Sequence, residues 1–260
     1  KISMQSPSIK AIIFDLDGTL LDTESLSDKA ILQALGDHLP YRVQQERKED
    51  NHRLPWELKR EIIGKPGNTW IPIVLKYAQQ NWDLIIPEEA CNETSNSSLS
   101  VSNLWNSWEA NLNGYCADIQ ECQGATKLVE TFNRMGLPMA IATSSRNSSV
   151  IQKRQKHSHL FSYMKHIVTG DDPAVRCGKP DPDIFLEAAR RLGVKPSNCL
   201  VLEDSIAGCQ AGKSAGCYVV AVPDPRMGRS EFYGIANEVI DSLDCFDGHK
   251  FGIQHFKTMD

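Results

Sequence analysis

The feature that most constrains this chain is a short apolar run that stops at a pair of acids. Ile12-Ile13-Phe14 is followed at once by Asp15-Leu16-Asp17-Gly18-Thr19. The run has the length and branching of a buried strand. Two carboxylates one residue apart at its tip repel each other and gain nothing from packing. They make sense where a cation sits between them and one of them does chemistry. The same grammar returns twice. Leu137 to Ala142 runs into Thr143-Ser144-Ser145, and Leu200-Val201-Leu202 runs into Glu203-Asp204. In parallel sheets with helices on both faces, ligands bind beyond the carboxyl ends of the strands. These tips, joined by Lys179, are therefore expected in one crevice.

From residue 120 onward the pattern alternates helix and strand. Gly124 to Arg134 has helical spacing, with Gly136 as a stop. Asn147 to His157 reads as a helix and Ile167-Val168 as a short strand. Asp181 is the expected N-cap of a helix with Pro182 in its first position and Gly193 at its end. Ser205 caps a helix that ends before Gly216, and Tyr218 to Val222 is another strand. With Ile9 to Phe14 this makes at least five short strands with intervening helices, an α/β doubly wound parallel sheet. Residues 22–119 differ: helical periodicity, few strand signals, and every Trp of the chain (Trp56, Trp70, Trp82, Trp105, Trp108). The expected division is a Rossmann-like core, residues 1–21 and 120–260, carrying an inserted helical domain, 22–119. Inside the insertion, Gln44 to Arg53 and Asn92 to Asn103 read as solvated loops. The Trp residues are expected in its core.

A net charge of −5 disfavours a nucleic-acid backbone or an anionic membrane as partner. No apolar run is long enough to span a bilayer. Cys91, Cys116, Cys122, Cys177, Cys199, Cys209, Cys217 and Cys245 form no metal-binding pattern and are read as reduced. The sequons at Asn92, Asn96 and Asn147 are read as chance matches. The expected compartment is the cytoplasm, or an organelle if a targeting peptide has been removed ahead of Lys1. The chain is expected to act as a monomer on a small molecule.

These residues suit one reaction. A phosphate monoester is dianionic near neutral pH and repels an attacking carboxylate, so a hard cation is needed. Mg2+ takes oxygen ligands. Asp15 and Asp204 offer carboxylates, and Asp17 its main-chain carbonyl. Asp15 can then attack phosphorus and form an aspartyl-phosphate. Asp17 can protonate the leaving oxygen and later take a proton from water. Thr143, with Ser144 beside it, offers a hydroxyl to the phosphoryl group, and Lys179 a point charge.

Asp15-Leu16-Asp17-Gly18-Thr19, Thr143-Ser144-Ser145, Lys179-Pro180-Asp181-Pro182-Asp183 and Glu203-Asp204-Ser205 resemble the four motifs of the haloacid dehalogenase superfamily. The helical insertion resembles its C1-type cap. The resemblance runs from about Ile9 to Gly252. It implies Asp15 as nucleophile and Asp17 as acid/base. It also implies Asp15, Asp17 and Asp204 as magnesium ligands with Glu203 as an alternative, and Thr143 and Lys179 as phosphate binders. Ala142 to Arg146, Gly170-Asp171-Asp172-Pro173 and Gly178 to Phe185 look more particularly like the pseudouridine-5′-phosphatase and glycerol-phosphate phosphatase group. Leu192 to Ser205 is also similar to FMN phosphatases. Lys65, in Ile63-Gly64-Lys65, resembles the Gly-Lys or Gly-Arg pair of those caps and is the expected substrate contact from the insertion.

The alternative is a β-phosphoglucomutase-type sugar phosphomutase, which shares the two aspartates. Such mutases carry a cap histidine shortly after the first motif. The matching position here is Ser27, and no His occurs between Asp15 and His38. True dehalogenases lack the second aspartate, so Asp17 argues against that activity.

Overall fold

The computed structural model describes residues 8–63, 67–86, 99–116, 118–253 and 256. The chain divides into two compact units, Lys1–Asp22 with Gln120–Asp260, and Thr23–Ile119. Strand β1 (Ala11–Phe14) opens the first unit, and all four of its residues are fully buried. Such a continuous apolar run is what a strand covered on both faces requires. The chain then folds back through the short strand β2 (Leu21–Asp22) and leaves the unit.

The second unit is helical: α1 (Glu24–Leu35), α2 (Tyr41–Glu49), α3 (Trp56–Ile62), α4 (Gly67–Asn81) and α5 (Val101–Gly114). Its core gathers Ile31, Leu35, Val43, Leu58, Trp70, Ile71, Val74 and Trp82. Trp105 and Trp108 pack against that core and against Trp70 at centroid distances of 6.3 and 5.4 Å. Trp70, Trp82, Trp105 and Trp108 are thus packing material, whereas Trp56, at the start of α3, is not part of that core. Two loop expectations are corrected here. Gln44 to Glu49 belong to α2, because Val43, just outside the polar stretch, is fully buried and anchors the helix. Arg47 and Lys48 in its last turn favour the helix dipole. Of the Asn92 to Asn103 stretch, residues 92–98 lie outside the described residues. The remainder starts α5, with the Ser100 hydroxyl accepting from the Asn103 N–H at 3.3 Å.

The chain re-enters the first unit at β3 (Gln120–Glu121), antiparallel to β2. It continues through α6 (Ala125–Arg134), β4 (Met139–Ala142), α7 (Asn147–Lys156), α8 (Ser158–Ser162), β5 (Met164–Val168), α9 (Asp183–Leu192), β6 (Cys199–Glu203), α10 (Ile206–Ser214), β7 (Tyr218–Ala221) and β8 (Glu238–Val239). Six strands form one parallel sheet in the order β5-β4-β1-β6-β7-β8. β1 lies between β4 and β6, where the order of the strands reverses. That is the switch point at which such sheets open a crevice. Helix α6 buries Leu128, Val129 and Phe132 on one face, and Phe132 meets Phe14 and Phe246.

The α9 start is a further correction. Pro182, not Asp181, holds the cap position, and no side chain caps it. The nearby acid that does cap backbone is Asp183, whose carboxylate accepts from the N–H groups of Arg176 and Cys177 at 3.0 and 3.1 Å. Cys116, Cys122, Cys177, Cys199, Cys209, Cys217 and Cys245 are free thiols, and Cys91 lies outside the described residues. Among the described residues no helix is long and apolar enough to cross a membrane.

Candidate active site

Three strand ends meet at the switch point. Asp15 follows β1, Thr143 follows β4, and Glu203 closes β6 with Asp204 after it. The register Phe14↔Leu202 and Phe14↔Ile141 holds these ends level. The N–H of Asp15 donates to the Leu202 carbonyl at 2.9 Å, and that of Thr143 to the Val168 carbonyl at 3.0 Å. Strand pairing therefore fixes both residues before their side chains meet anything.

Carboxylate oxygens of Asp15, Glu203 and Asp204 lie within 4.8 Å of one another, and all three residues are buried. Two glycines make the crowding possible. Gly18 has φ of +85°, and a Cβ there would lie 2.3 Å from Asp204 Oδ2. A Cβ on Gly208, in α10, would lie 1.6 Å from Glu203 Oε1. Thr19, fully buried, donates weakly to Asp204 Oδ1 at 3.4 Å. Glu203 Oε2 accepts from both the N–H and the hydroxyl of Ser205, at 2.6 and 2.9 Å.

Lys179 enters from the loop before α9. Its Nζ donates to Asp15 Oδ1 at 2.5 Å, to Glu203 Oε1 at 2.7 Å and to the Ala142 carbonyl at 3.2 Å. Burial opposes the charge on Lys179, but Asp15 and Glu203 outweigh it and raise its pKa. For Asp15 the balance tips the other way. Burial, opposed by Lys179 and reinforced by the charges of Glu203 and Asp17, pushes its carboxyl up to about 7. One ammonium does not neutralise three buried carboxylates, and this surplus of anionic oxygen suits a hard divalent cation.

Asp17 faces another way. Its Oδ1 accepts from Lys153 Nζ at 2.5 Å, and its Oδ2 from the Ser145 hydroxyl at 2.7 Å. Thr143 Oγ1 reaches Asp17 Oδ2 only at 3.4 Å and accepts from the Ser145 N–H at 3.0 Å. Of the residues singled out from sequence, Asp15, Asp17, Thr143, Lys179, Glu203 and Asp204 converge. Ser144 is exposed beside them, and Lys65 lies outside the described residues. Ser27, the position matching the mutase histidine, accepts from Trp108 Nε1 at 3.3 Å within the helical unit.

Sequence reasoning missed Lys153. It lies in a run with Arg154 and Lys156 that reads as the solvated, basic end of a helix. Yet Val150, Lys153 and His157 share one face at spacings of three and four, and all three are buried. That spacing was the available signal.

Residues 9–216 match the model of the haloacid dehalogenase-like hydrolase family. This chain belongs to that family. It is an enzyme of the phosphoric monoester hydrolase class. It is 33% identical over 253 residues to (DL)-glycerol-3-phosphatase 1, mitochondrial, of Arabidopsis thaliana, covering 96% of this chain and 76% of that one. It is 34% identical over 249 residues to a Drosophila melanogaster protein named "Probable pseudouridine-5'-phosphatase", covering 94% of each. Among solved structures, CbbY from Rhodobacter sphaeroides in complex with phosphate superposes with a TM-score of 0.67. The identity is 25%, over 90% of this chain and 95% of that one.

Proposed function

We propose that this enzyme is a magnesium-dependent phosphatase that hydrolyses a small phosphate monoester through a phosphoryl group carried on Asp15. Among nucleotide, polyol and sugar phosphates, substrates of the pseudouridine-5′-phosphate kind are favoured. The observation that carries the reading is the pairing of a crowded anionic pocket, Asp15, Glu203 and Asp204 around Lys179, with a separate carboxylate, Asp17. In this reading one carboxylate attacks and the other handles protons.

In this reading Asp15 attacks phosphorus as the bond to the ester oxygen breaks, and Asp17 gives that oxygen a proton. The Asp17 carboxylate then takes a proton from water, whose oxygen attacks phosphorus and releases Asp15. Lys179 sits on Asp15 and stabilises charge on the transferring group. Thr143 orients the loop after β4 through the Ser145 N–H. Magnesium would be held by Asp15, Asp204 and the main-chain carbonyl of Asp17, with Glu203 beside them, and would supply positive charge against the phosphoryl oxygens. The inserted helical unit, with Lys65, is assigned the reading of the leaving group.

The test is phosphate release with and without magnesium from pseudouridine monophosphate, glycerol 3-phosphate, FMN, hexose phosphates and β-glucose 1-phosphate. One strongly preferred, magnesium-dependent ester supports the reading, and Asp15→Asn must abolish that turnover. Conversion of β-glucose 1-phosphate to the 6-phosphate without phosphate release would replace it with the mutase.

A further inference from the structure

We infer that Lys153 is a positioning residue for the acid/base Asp17, a role that rests on the reading above. Lys153 is fully buried, although Gln152, Arg154 and Lys156 around it on α7 are exposed. Taking an ammonium out of water is costly unless it is well paired, and an apolar side chain would fill the same space at no such cost. What Lys153 gains is a fixed partner. Its Nζ donates to Asp17 Oδ1 at 2.5 Å and to Ser145 Oγ at 3.0 Å, and Ser145 Oγ donates to Asp17 Oδ2 at 2.7 Å.

The three side chains thus close a ring of hydrogen bonds on the Asp17 carboxylate. Asp17 precedes Gly18, with φ of +85°, and its side chain keeps 24% of its exposure. The hold is asymmetric. Oδ1 is held by a buried cation on a helix, whereas Oδ2 meets only uncharged hydroxyls, Ser145 at 2.7 Å and the buried Thr143 at 3.4 Å. Oδ2 is therefore the oxygen that changes partner for ester or water, and Lys153 is the pivot. One turn further along the same face, His157 Nδ1 lies 3.5 Å from Glu121 Oε1 on β3. This second polar contact helps fix α7, and with it the position of Lys153.

The test is a double-mutant cycle on p-nitrophenyl phosphate. Lys153→Met is expected to lower kcat by ~10–100-fold with KM within about threefold, since it removes an interaction made through Asp17. In an Asp17→Asn background the same change is expected to cost less than about twofold. An equal factor in both backgrounds would assign Lys153 to general structural support and overturn the inference. So would a wild-type kcat in Lys153→Met. If that variant fails to fold, Ser145→Ala removes only the hydroxyl and must show the same loss of effect in the Asp17→Asn background. Asp15→Asn serves as the control. Its inactivity keeps the reading of the site while the cycle decides Lys153, and its retained turnover would sink both.

Discussion

Each unit of this protein buries a lysine between two carboxylates, and the two clusters differ in how their charge is balanced. In the helical unit Lys59 pairs with Glu24 at 2.5 Å and Asp28 at 2.6 Å. In the sheet unit Lys179 pairs with Asp15 at 2.5 Å and Glu203 at 2.7 Å. Burial is nearly equal, 2% exposure for Lys59 and 6% for Lys179. The difference lies in where the acids come from. Glu24 and Asp28 stand one turn apart on α1, so Lys59 staples α3 to α1. Glu24 is 24% exposed and shares its charge with water. Asp15 and Glu203 come from two adjacent strands, with Asp204 added, and the charge surplus has nowhere to go. A buried cluster that nearly balances itself fixes structure. One that cannot do so is, in the reading proposed above, where a cation and an anionic ligand bind.

The sharpest way to break this comparison is to remove each lysine in turn. Lys59→Met is expected to destabilise the protein by ~3–5 kcal/mol, because it leaves Asp28 fully buried and unpaired. Chemical denaturation measures this, and the variant that remains folded should keep kcat/KM within about threefold. Lys179→Met is expected to lower kcat/KM by ~10²–10³-fold, the usual scale for losing an electrostatic stabiliser of the transition state. If catalysis were lost at Lys59 and retained at Lys179, the two clusters would have been read the wrong way round.

The same contrast explains what the sequence made legible. The sheet and the convergence of Asp15, Thr143, Glu203 and Asp204 were readable because strand ends carry chemistry in a fixed place, whereas Lys179, in a loop, was placed with them through its motif. Short apolar runs followed by acids or hydroxyls mark those ends directly. Lys59 and Lys153 were not readable in that way. Each lies in a helix among other charges, and only the helical phase, set by neighbours such as Leu58 or Val150, puts it inside. Gln44 to Glu49 misled for a related reason. A polar window hides a helix when its one anchor, Val43, falls just outside it.

The charge surplus predicts a response to metal and pH. Burial lifts the Asp15 carboxyl to about 7, so the folded metal-free protein holds that proton more tightly than the unfolded chain. Its contribution to stability is full below the ordinary carboxyl range and is lost as pH rises through 7. A cation that replaces the proton reverses that loss. The rise in Tm on adding magnesium to chelator-treated protein is therefore expected to grow from pH 5 to pH 7.5. Near ~100 times its Kd, magnesium would stabilise by about 2–3 kcal/mol. A rise that is the same at every pH would mean that the cation binds without engaging Asp15. Lys59→Met should not alter the magnesium-dependent rise, since the Lys59 cluster gives the metal no ligands in this reading.

The smallest effect belongs to a third cluster, in which a buried acid meets arginines that face solvent. Glu187 on α9 accepts from Arg190 Nε at 2.6 Å and from Arg191 Nε at 2.6 Å, and Arg191 also reaches Asp172 at 2.6 Å. Hydrogen bonding by Arg190, aided by Arg191, holds the Glu187 carboxyl down at about 2. The sign is opposite to that of Asp15. Stability from this group is present above the ordinary carboxyl range and is lost as pH falls toward 2. Arg190 is 71% exposed, so solvent screens much of the attraction, and Glu187→Gln should cost only about 1 kcal/mol at pH 7. The gap in Tm between the variant and the parent should narrow as pH falls from 5 toward 2, and 1 M salt should shrink it at pH 7. Lys59→Met should keep most of its penalty under the same salt, because its partner Asp28 is out of reach of the counterions. A salt response as large at Lys59 as at Glu187 would mean that counterions reach both clusters alike, and the contrast between an enclosed lysine and arginines open to solvent would not hold.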